Sequence, residues 1–387
     1  MNFTFDTVPN IIFETGAAAR LGEIVKPRMQ RPFVVTDKGV VGAGLIDGAL
    51  KGLEKAGLDY ALFDGVEADP PAKIVRGAID AARAHQADGV IGFGGGSSMD
   101  TAKVIAILIN STQSLEDIYG MDMVRAPRVP LALVPTTAGT GSEVTNISVI
   151  TSDDDQKMGV VARELYADMA ILDAALTLSM PRHVTNATGI DAMVHAIEGY
   201  TSKIKKNPVS DALGKEALRL LSSNIVRACD APDDIKARES MLLGAMLAGQ
   251  AFANAPVAAV HALAYPLGVH FHVPHGLANS LMLAPVLRFN CSVAAPLYAE
   301  LGDVIGANDT GAFNTRAEAF VSKMSDICAA TGAFAKACPA SMAPSSMFSR
   351  ALMSSGASQA RTMLEARSRN ASLPSASESG FFLSFDV

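Results

Sequence analysis

The residues best suited to chemistry in this chain are a carboxylate and a group of histidines. Asp191 and His195 stand four positions apart in an apolar segment, Gly189 to Gly199, a spacing that predicts both side chains on one face of a helix. A carboxylate and an imidazole on consecutive turns can bind one divalent cation. Taken alone, however, the two residues are better explained as an ordinary pair on a helix face.

Further histidines strengthen the metal interpretation. Five of the seven histidines lie between residues 195 and 275. His270 and His272 stand near a Pro/Gly turn, so we expect a loop or supporting role for them rather than ligation. The candidate ligands are Asp191, His195, His261 and His275. One carboxylate and three neutral imidazoles suit Fe(II) or Zn(II) and leave a position for a substrate oxygen, which such a metal would polarise.

A glycine-rich segment predicts a second site. Residues Gly94 to Asp100 read Gly-Gly-Gly-Ser-Ser-Met-Asp, directly after a strand pattern and before a helical one. Glycines let a ligand approach the backbone, and a helix start offers N–H groups to phosphate oxygens. The segment is neither a Walker loop nor the usual G-x-G-x-x-G. It predicts a pyrophosphate cradle, the alternative being a tight turn capped by Ser97 or Ser98.

Two other polar positions also follow strand patterns. Asp37 could accept hydrogen bonds from an adenosine ribose and would repel a 2′-phosphate, which favours NAD over NADP, although a solvated turn carboxylate explains it equally well. The loop Pro135 to Glu143 carries hydroxyls that could line a nucleotide site, and otherwise reads as a Thr-rich turn. A nucleotide cradle together with an oxygen-polarising metal indicates hydride transfer.

The elements that must position these residues fall into two halves. Up to about Pro181, β-rich runs such as 31–37, 89–93 and 129–135 alternate with helical patterns, which is typical of a parallel sheet covered by helices. Beyond it the pattern changes to long helical stretches. We therefore predict an α/β dinucleotide-binding domain with a Rossmann-like parallel sheet over residues 1–181, and an all-α metal-binding domain over residues 182–387.

Composition excludes several classes of protein. The chain has 387 residues, 49% hydrophobic and 18% charged, which excludes a disordered protein. Its net charge of −7 offers no basic excess for nucleic acid or anionic lipid. The four cysteines form no CxxC pair and the first residues do not resemble a signal peptide, so we expect a cytoplasmic protein. The apolar stretch Met241 to Gly268 contains polar residues and predicts buried helices, not a membrane span.

Four motifs in order resemble the iron-containing (group III) alcohol dehydrogenase family. They are GGGSSMDTAK, PTTAGTGSEVT, GIDAMVHAIEGY and HALAYPLGVHFHVPHGLAN. The resemblance runs from the N-terminus to about Thr331. It implies a dehydroquinate synthase-like architecture in which a cleft between the two domains brings nicotinamide and metal together, and at least a homodimer.

The resemblance also assigns site residues by position. It implies cofactor contacts at Asp37, Gly95, Gly96, Ser97, Asp100, Thr136, Thr137, Thr140 and Lys157. It implies metal ligands at Asp191, His195, His261 and His275. The expected cofactors are NAD and Fe(II), with Zn(II) as an alternative metal, and the expected reaction interconverts a small alcohol and its aldehyde or ketone.

Two features depart from the family pattern. Tyr265 stands where many members have a histidine that relays the alcohol proton; tyrosine, with a pKa near ~10, is a poorer base, and solvent, ribose hydroxyls, His270 or His272 are alternatives. The end of the chain is rich in serine, with 13 serines in residues 339–387. For residues 338–387 we therefore expect either a poorly packed tail or the product of a reading-frame shift.

Other functions fit the same motifs. A hydroxyacid–oxoacid transhydrogenase or a maleylacetate reductase would use the same scaffold, but no Arg or Lys interrupts residues 189–200 or 261–276, which argues against an acidic substrate. A dehydroquinate-synthase-like lyase would need several basic residues near the metal. A nucleotide-binding relative without turnover is the non-catalytic alternative.

Overall fold

The computed structural model describes residues 2–178, 180–271, 273–307 and 310–332. Its first half contains a parallel sheet of six strands in the order β1-β9-β6-β4-β2-β3. These strands are β1 (Asn10–Phe13), β2 (Pro32–Val35), β3 (Ala61–Phe63), β4 (Gly89–Gly94), β6 (Leu131–Pro135) and β9 (Met169–Leu172). A second sheet contains β5 (Gly120–Met121), β7 (Ile147–Thr151) and β8 (Lys157–Val161).

Helices connect the parallel strands. They are α1 (Leu21–Val25), α2 (Lys38–Gly42), α3 (Asp47–Lys55), α4 (Ala72–Ala84) and α5 (Gly96–Leu108). Every residue of β2, β4, β6 and β9 is buried, because the helices cover the sheet and exclude water from its central strands. This explains why these strands read as continuous apolar runs and not as alternating ones. The antiparallel pairing of β7 with β8 was not predicted from the sequence.

The second half is helical. Its elements are α6 (Arg182–Thr201), α7 (Pro208–Asp230), α8 (Ile235–Asn254), α9 (Ala259–Phe271), α10 (His275–Val304) and α11 (Phe313–Thr331). The helix α6 begins at the first residue of the predicted second domain. A parallel sheet followed by a helical half confirms the predicted fold class. Residues 338–387, for which an atypical tail was expected, lie outside the described residues.

The helix α10 is long and apolar enough to cross a membrane by length and composition alone, and α8 and α9 together would pass the same test as a pair bent by 105°. Here α10 packs against α6, α9 and α11, and residues such as Met282, Leu283 and Leu301 on it are buried in the hydrophobic core. The apolar character of α10 is thus explained by its central place among the helices.

Candidate active site

The buried helix α6 presents polar side chains on one face. Asp191, His195 and Glu198 occupy positions i, i+4 and i+7, and all three are buried. Residues at this spacing lie one above another along a helix. Because uncompensated polar groups are costly in an apolar interior, this face requires partners from other elements.

The partners come from α9 and from the start of α10. His261 lies in the first turn of α9, and His275 is the first residue of α10, after the break at Val273 and Pro274. The approach of α10 to α6 depends on Gly276, where a Cβ atom would lie 2.3 Å from the carbonyl oxygen of Ala187. Only a residue without a side chain lets the two backbones come this close.

Three of the four predicted metal ligands have donor atoms facing one another. Atoms of Asp191, His261 and His275 all lie within 4.8 Å of one another; Asp191 Oδ1 is 3.6 Å from His275 Nε2 and 3.8 Å from His261 Nε2. The fourth, His195, stacks on His261 with ring centroids 4.7 Å apart, and its buried Nδ1 has no hydrogen-bond partner. The donor types and this unpartnered nitrogen fit a bound transition metal.

Asn279 was missed by the sequence analysis. It lies on α10 four residues after His275, and its Nδ2 is 2.5 Å from Asp191 Oδ1 and within 3.2–3.3 Å of the Nε2 atoms of His261 and His275. Its N–H₂ group thus lies between a carboxylate oxygen and two imidazole nitrogens. Three atoms that can bind a metal therefore face one point, as a cation site requires.

Burial favours the neutral, metal-binding form of two of these donors, His195 and His275. It lowers the pKa of His195 to about 3, against the opposing effect of Asp191, and it also lowers the pKa of His275. Burial alone would raise the pKa of Asp191, but the surrounding imidazoles and Asn279 hold it below its usual range. For His261, burial lowers the pKa, while the hydrogen bond to Glu198 raises it and prevails. The cluster therefore offers an ionised carboxylate beside imidazoles.

The glycine-rich segment forms the start of α5 and leaves it open. Gly95 is the N-cap residue of α5 and no side chain caps the helix, so the alternative of a serine cap is wrong. The Ser98 hydroxyl instead donates to Asp37 Oδ2 at 3.2 Å. A Cβ atom at Gly96 would lie 2.9 Å from the Thr140 side chain. The first N–H groups of α5 therefore have no side-chain acceptor, as expected for a phosphate cradle.

The other predicted cofactor contacts surround this cradle. Asp37 follows β2 and caps α2, accepting from Val40 N–H at 3.0 Å. Thr136 follows β6 and donates its backbone N–H to the Gly94 carbonyl at 2.9 Å. Because β2, β4 and β6 are adjacent and parallel, their carboxyl ends meet at one edge, where nucleotides bind in open α/β sheets. At the same edge, Gly95 precedes α5, Gly96 and Ser97 are its first two residues, and Thr137 and Thr140 lie in the loop after β6.

Asp100 is engaged within the protein. Its Oδ1 accepts from the Ser142 hydroxyl at 2.6 Å and its Oδ2 from Val149 N–H at 2.9 Å. Buried Lys103 donates to the Ser142 hydroxyl at 2.8 Å and to the Ile147 carbonyl at 2.7 Å. These bonds fasten the 135–143 loop to α5. A contact between Asp100 and a cofactor stays a prediction.

The 135–143 loop also joins the two halves of the molecule. A Cβ atom at Gly139 would lie 2.9 Å from the Thr188 carbonyl oxygen on α6, and one at Gly249 on α8 would lie 2.8 Å from Gly141 Cα. The loop that borders the cradle is therefore in direct backbone contact with the helix that carries Asp191. This contact places the carboxyl-terminal edge of the parallel sheet next to the histidine cluster.

Lys157 and Tyr265 complete the predicted set. Lys157 on β8 forms an ion pair with Asp69 at 2.6 Å and donates to the Thr151 hydroxyl at 3.1 Å. The Tyr265 ring stacks beside His275, with centroids 5.7 Å apart. Burial, helped by the charge of Asp191, raises the pKa of Tyr265 to about 12, so the phenol keeps its proton at neutral pH. His272 and the side chain of His270 lie outside the described structure.

Comparison with known proteins agrees with this geometry. Residues 9–174 match the sequence model for iron-containing alcohol dehydrogenases, and residues 185–344 match the model for the C-terminal part of the same family. The chain is 36% identical over 311 residues to sulfoacetaldehyde reductase from Bilophila wadsworthia, covering 80% of each chain. It is 37% identical to 1,3-propanediol dehydrogenase from Klebsiella pneumoniae, covering 79% of this chain and 80% of the other.

Among solved structures, alcohol dehydrogenase from Oenococcus oeni superposes with a TM-score of 0.85 at 31% identity, covering 92% of this chain and 95% of the other. Two family models in the expected order span both halves of the chain. The chain belongs to the iron-containing alcohol dehydrogenase family.

Proposed function

We propose that this enzyme is a metal-dependent, NAD-linked dehydrogenase that interconverts a small uncharged alcohol and its aldehyde or ketone. The observation that carries the proposal is the cluster of Asp191, His195, His261 and His275, held beside the open cradle of α5 by the 135–143 loop. A metal-binding donor set next to a dinucleotide site is what hydride transfer requires.

The chain's residues have distinct roles in this mechanism. Asp191, His195, His261 and His275 would hold Fe(II), and the same donors accept Zn(II). A metal held there would polarise the substrate oxygen, and a bound nicotinamide would accept or donate the hydride. The N–H groups at the start of α5 bind the pyrophosphate and Asp37 orients the ribose while repelling a 2′-phosphate. Tyr265 serves as a hydrogen-bonding group, because its high pKa makes it a poor base.

An uncharged substrate is favoured by the surroundings of the cluster. Lys157 is already paired with Asp69 at 2.6 Å, so its charge is compensated. An acidic substrate would need an uncompensated cation. The competing proposal, reduction of an anionic aldehyde, is supported by the similarity to the relative named sulfoacetaldehyde reductase.

We also propose that the enzyme is a cytoplasmic homodimer or a higher homo-oligomer without nucleic acid or membrane partners. The strand β1 is an edge of the parallel sheet, and its Ile11 and Phe13 are 37% and 38% exposed. Exposed apolar edge strands favour pairing with another chain. The net charge of −7 supports the absence of nucleic acid partners. Sedimentation of the enzyme and of Phe13→Asp tests the oligomer, and loss of assembly is expected for the variant.

The experiment for the activity is an assay of NADH formation with neutral short alcohols and with hydroxyacids of matched length. Each assay is run before chelation, after chelation, and after Fe(II) or Zn(II) is restored. We expect turnover of the neutral alcohols that chelation abolishes and metal restores, and His195→Ala should lack both bound metal and turnover. Turnover that is indifferent to metal would refute the mechanism, and preference for hydroxyacids would favour the competing substrate class.

A further inference from the structure

We propose that Glu198 is a positioning residue for the metal centre: it holds His261 in the tautomer whose Nε2 is free to bind a cation, and it fixes the start of α9 against α6. The inference rests on the proposed metal-dependent function. Glu198 is not itself a candidate metal ligand, because its oxygens face His261 Nδ1 and backbone N–H groups.

The hydrogen bonds of Glu198 determine the tautomer. The carboxylate is 4% exposed, and it accepts from Val260 N–H at 2.6 Å and from Ala258 N–H at 3.0 Å. Its Oε2 lies 2.7 Å from His261 Nδ1. A carboxylate that accepts two N–H bonds is an acceptor toward the imidazole as well, so Nδ1 carries the proton and donates it. The Nε2 atom then presents its lone pair to the donor cluster.

The other side of the His261 ring supports the same assignment. The Nδ2 group of Asn279, a donor, lies 3.3 Å from His261 Nε2. A donor at this distance favours a bare Nε2 nitrogen. Both ring nitrogens of His261 therefore have partners that agree on one tautomer.

Glu198 also determines where the His261 ring lies. Ala258 and Val260 bracket the first residue of α9, Ala259, where backbone N–H groups lack partners within the helix. The carboxylate of α6 satisfies these groups and complements the positive end of α9. Since Asp191 is seven residues earlier on the same helix, α6 supplies a ligand of its own and also the support for a ligand on α9.

The test is the Zn(II) affinity of Glu198→Gln, measured by competition with a chromophoric chelator. Glutamine has the size of glutamate, but its amide N–H₂ is a donor. It therefore cannot accept hydrogen bonds from all three N–H groups that contact Glu198. We expect affinity to fall 10–100-fold, the usual effect of losing such a support. An affinity within twofold of wild type would overturn the proposal.

Asp173→Asn is the matched control. Asp173 is a buried carboxylate that also accepts three backbone N–H bonds, from Gly16, Ala18 and Ala175, and it contacts no imidazole in the described structure. Asp173→Asn should lower the free energy of unfolding while leaving Zn(II) affinity unchanged. If it weakens Zn(II) binding as much as Glu198→Gln does, the effect is general destabilisation and the proposal is refuted.

A second measurement needs no variant at Glu198 and applies even if Glu198→Gln does not fold. In the metal-free wild-type enzyme at pH 9, ¹⁵N spectra of the imidazoles should show the His261 proton on Nδ1, the signal being assigned by its loss in His261→Gln. A proton on Nε2 would overturn the proposal. Wild-type enzyme without metal-dependent turnover would instead refute the proposed function, a result that the tautomer measurement distinguishes.

Discussion

The enzyme contains two polar clusters that are built in opposite ways. In the helical half, side-chain acceptors from α6, α9 and α10 face one another, and the Asn279 amide lies among three of them. At the edge of the parallel sheet, charged side chains such as Asp100 and Lys103 are bonded to their neighbours. What that edge leaves open is the backbone at the start of α5.

The difference indicates how each cluster binds its ligand. We expect the histidine cluster to bind a cation with its side chains, because their donor atoms face one another. We expect the sheet edge to bind its ligand with peptide N–H groups, while its side chains chiefly hold the loops in place. Substitutions in the first cluster should therefore abolish metal binding and chemistry, while substitutions in the second should change stability or cofactor preference.

The largest effect is expected for Asp191→Asn. The substitution removes the carboxylate that lies within 3.6–3.8 Å of the Nε2 atoms of His275 and His261, and with it the negative charge of the donor set. We expect loss of bound metal and a fall in kcat/KM on the order of 10³-fold or more, with helical content retained. Metal analysis measures the bound metal, and NADH formation measures kcat/KM. Stoichiometric metal with more than a tenth of the activity would show that Asp191 is not a ligand.

Gly276→Ala tests whether the close approach of α10 to α6 creates the histidine cluster. Its Cβ atom would lie 2.3 Å from the Ala187 carbonyl oxygen, so backbone must move. We expect a loss of roughly 3 kcal/mol in the free energy of unfolding, together with weaker metal binding. Gly77→Ala in α4 is the control, because nothing lies within 4 Å of its Cβ. This variant should raise the free energy of unfolding by up to about 1 kcal/mol. Equal urea midpoints for the two variants would contradict the packing argument.

At the sheet edge, Glu143→Gln should change the pH dependence of stability. Burial raises the pKa of Glu143 from 4.5 to about 7, so the folded enzyme favours the protonated carboxyl. This contribution to the free energy of unfolding is at most about 3 kcal/mol. It is complete below pH 4.5 and is lost as the pH rises toward 7. Glutamine cannot ionise, so the free energy of unfolding of Glu143→Gln should not show this decline with pH. Urea unfolding of metal-free enzyme between pH 4.5 and 8 measures the difference, and parallel curves would contradict it.

Asp37→Ser should change cofactor preference without unfolding the sheet edge. Serine can still cap α2, but it no longer repels a 2′-phosphate. We expect the ratio of kcat/KM for NAD to that for NADP to fall about tenfold, equivalent to about 1.4 kcal/mol. Activity of both enzymes with each cofactor measures the ratio. If the ratio does not change, Asp37 does not contact the ribose, and its bonds to Val40 and Ser98 are its whole role.

The two clusters also differ in how far sequence could predict them. The spacing of Asp191 and His195 predicts a shared helix face, and apolar β-rich runs that alternate with helical patterns predict the parallel sheet. Glu198 and Asn279 were not identified, because Glu198 contacts His261, 63 residues away, and Asn279 contacts Asp191, 88 residues away, although Asn279 also lies four residues after His275 on α10. Local rules left a serine cap at α5 as the alternative to a phosphate cradle, and the structure excludes that cap because Gly95 is the N-cap residue and the Ser98 hydroxyl bonds to Asp37, which follows another strand. A sequence shows the type of each side chain, but it does not show which residue that side chain contacts in the fold.

The smallest effect is expected at Tyr265, which lies beside the histidine cluster but has no charge to contribute. Since burial raises its pKa to about 12, we expect it to keep its proton in the neutral range and not to act as a base. Tyr265→Phe should therefore lower kcat less than tenfold, the value of one hydrogen bond, and leave the pH profile unchanged. Tyr265→His would add a group that titrates near ~6.5, so its kcat should acquire a rise between pH 6 and 7. If Tyr265→Phe removed a pH-dependent step that the wild-type enzyme has, the phenol would be the proton-relay group.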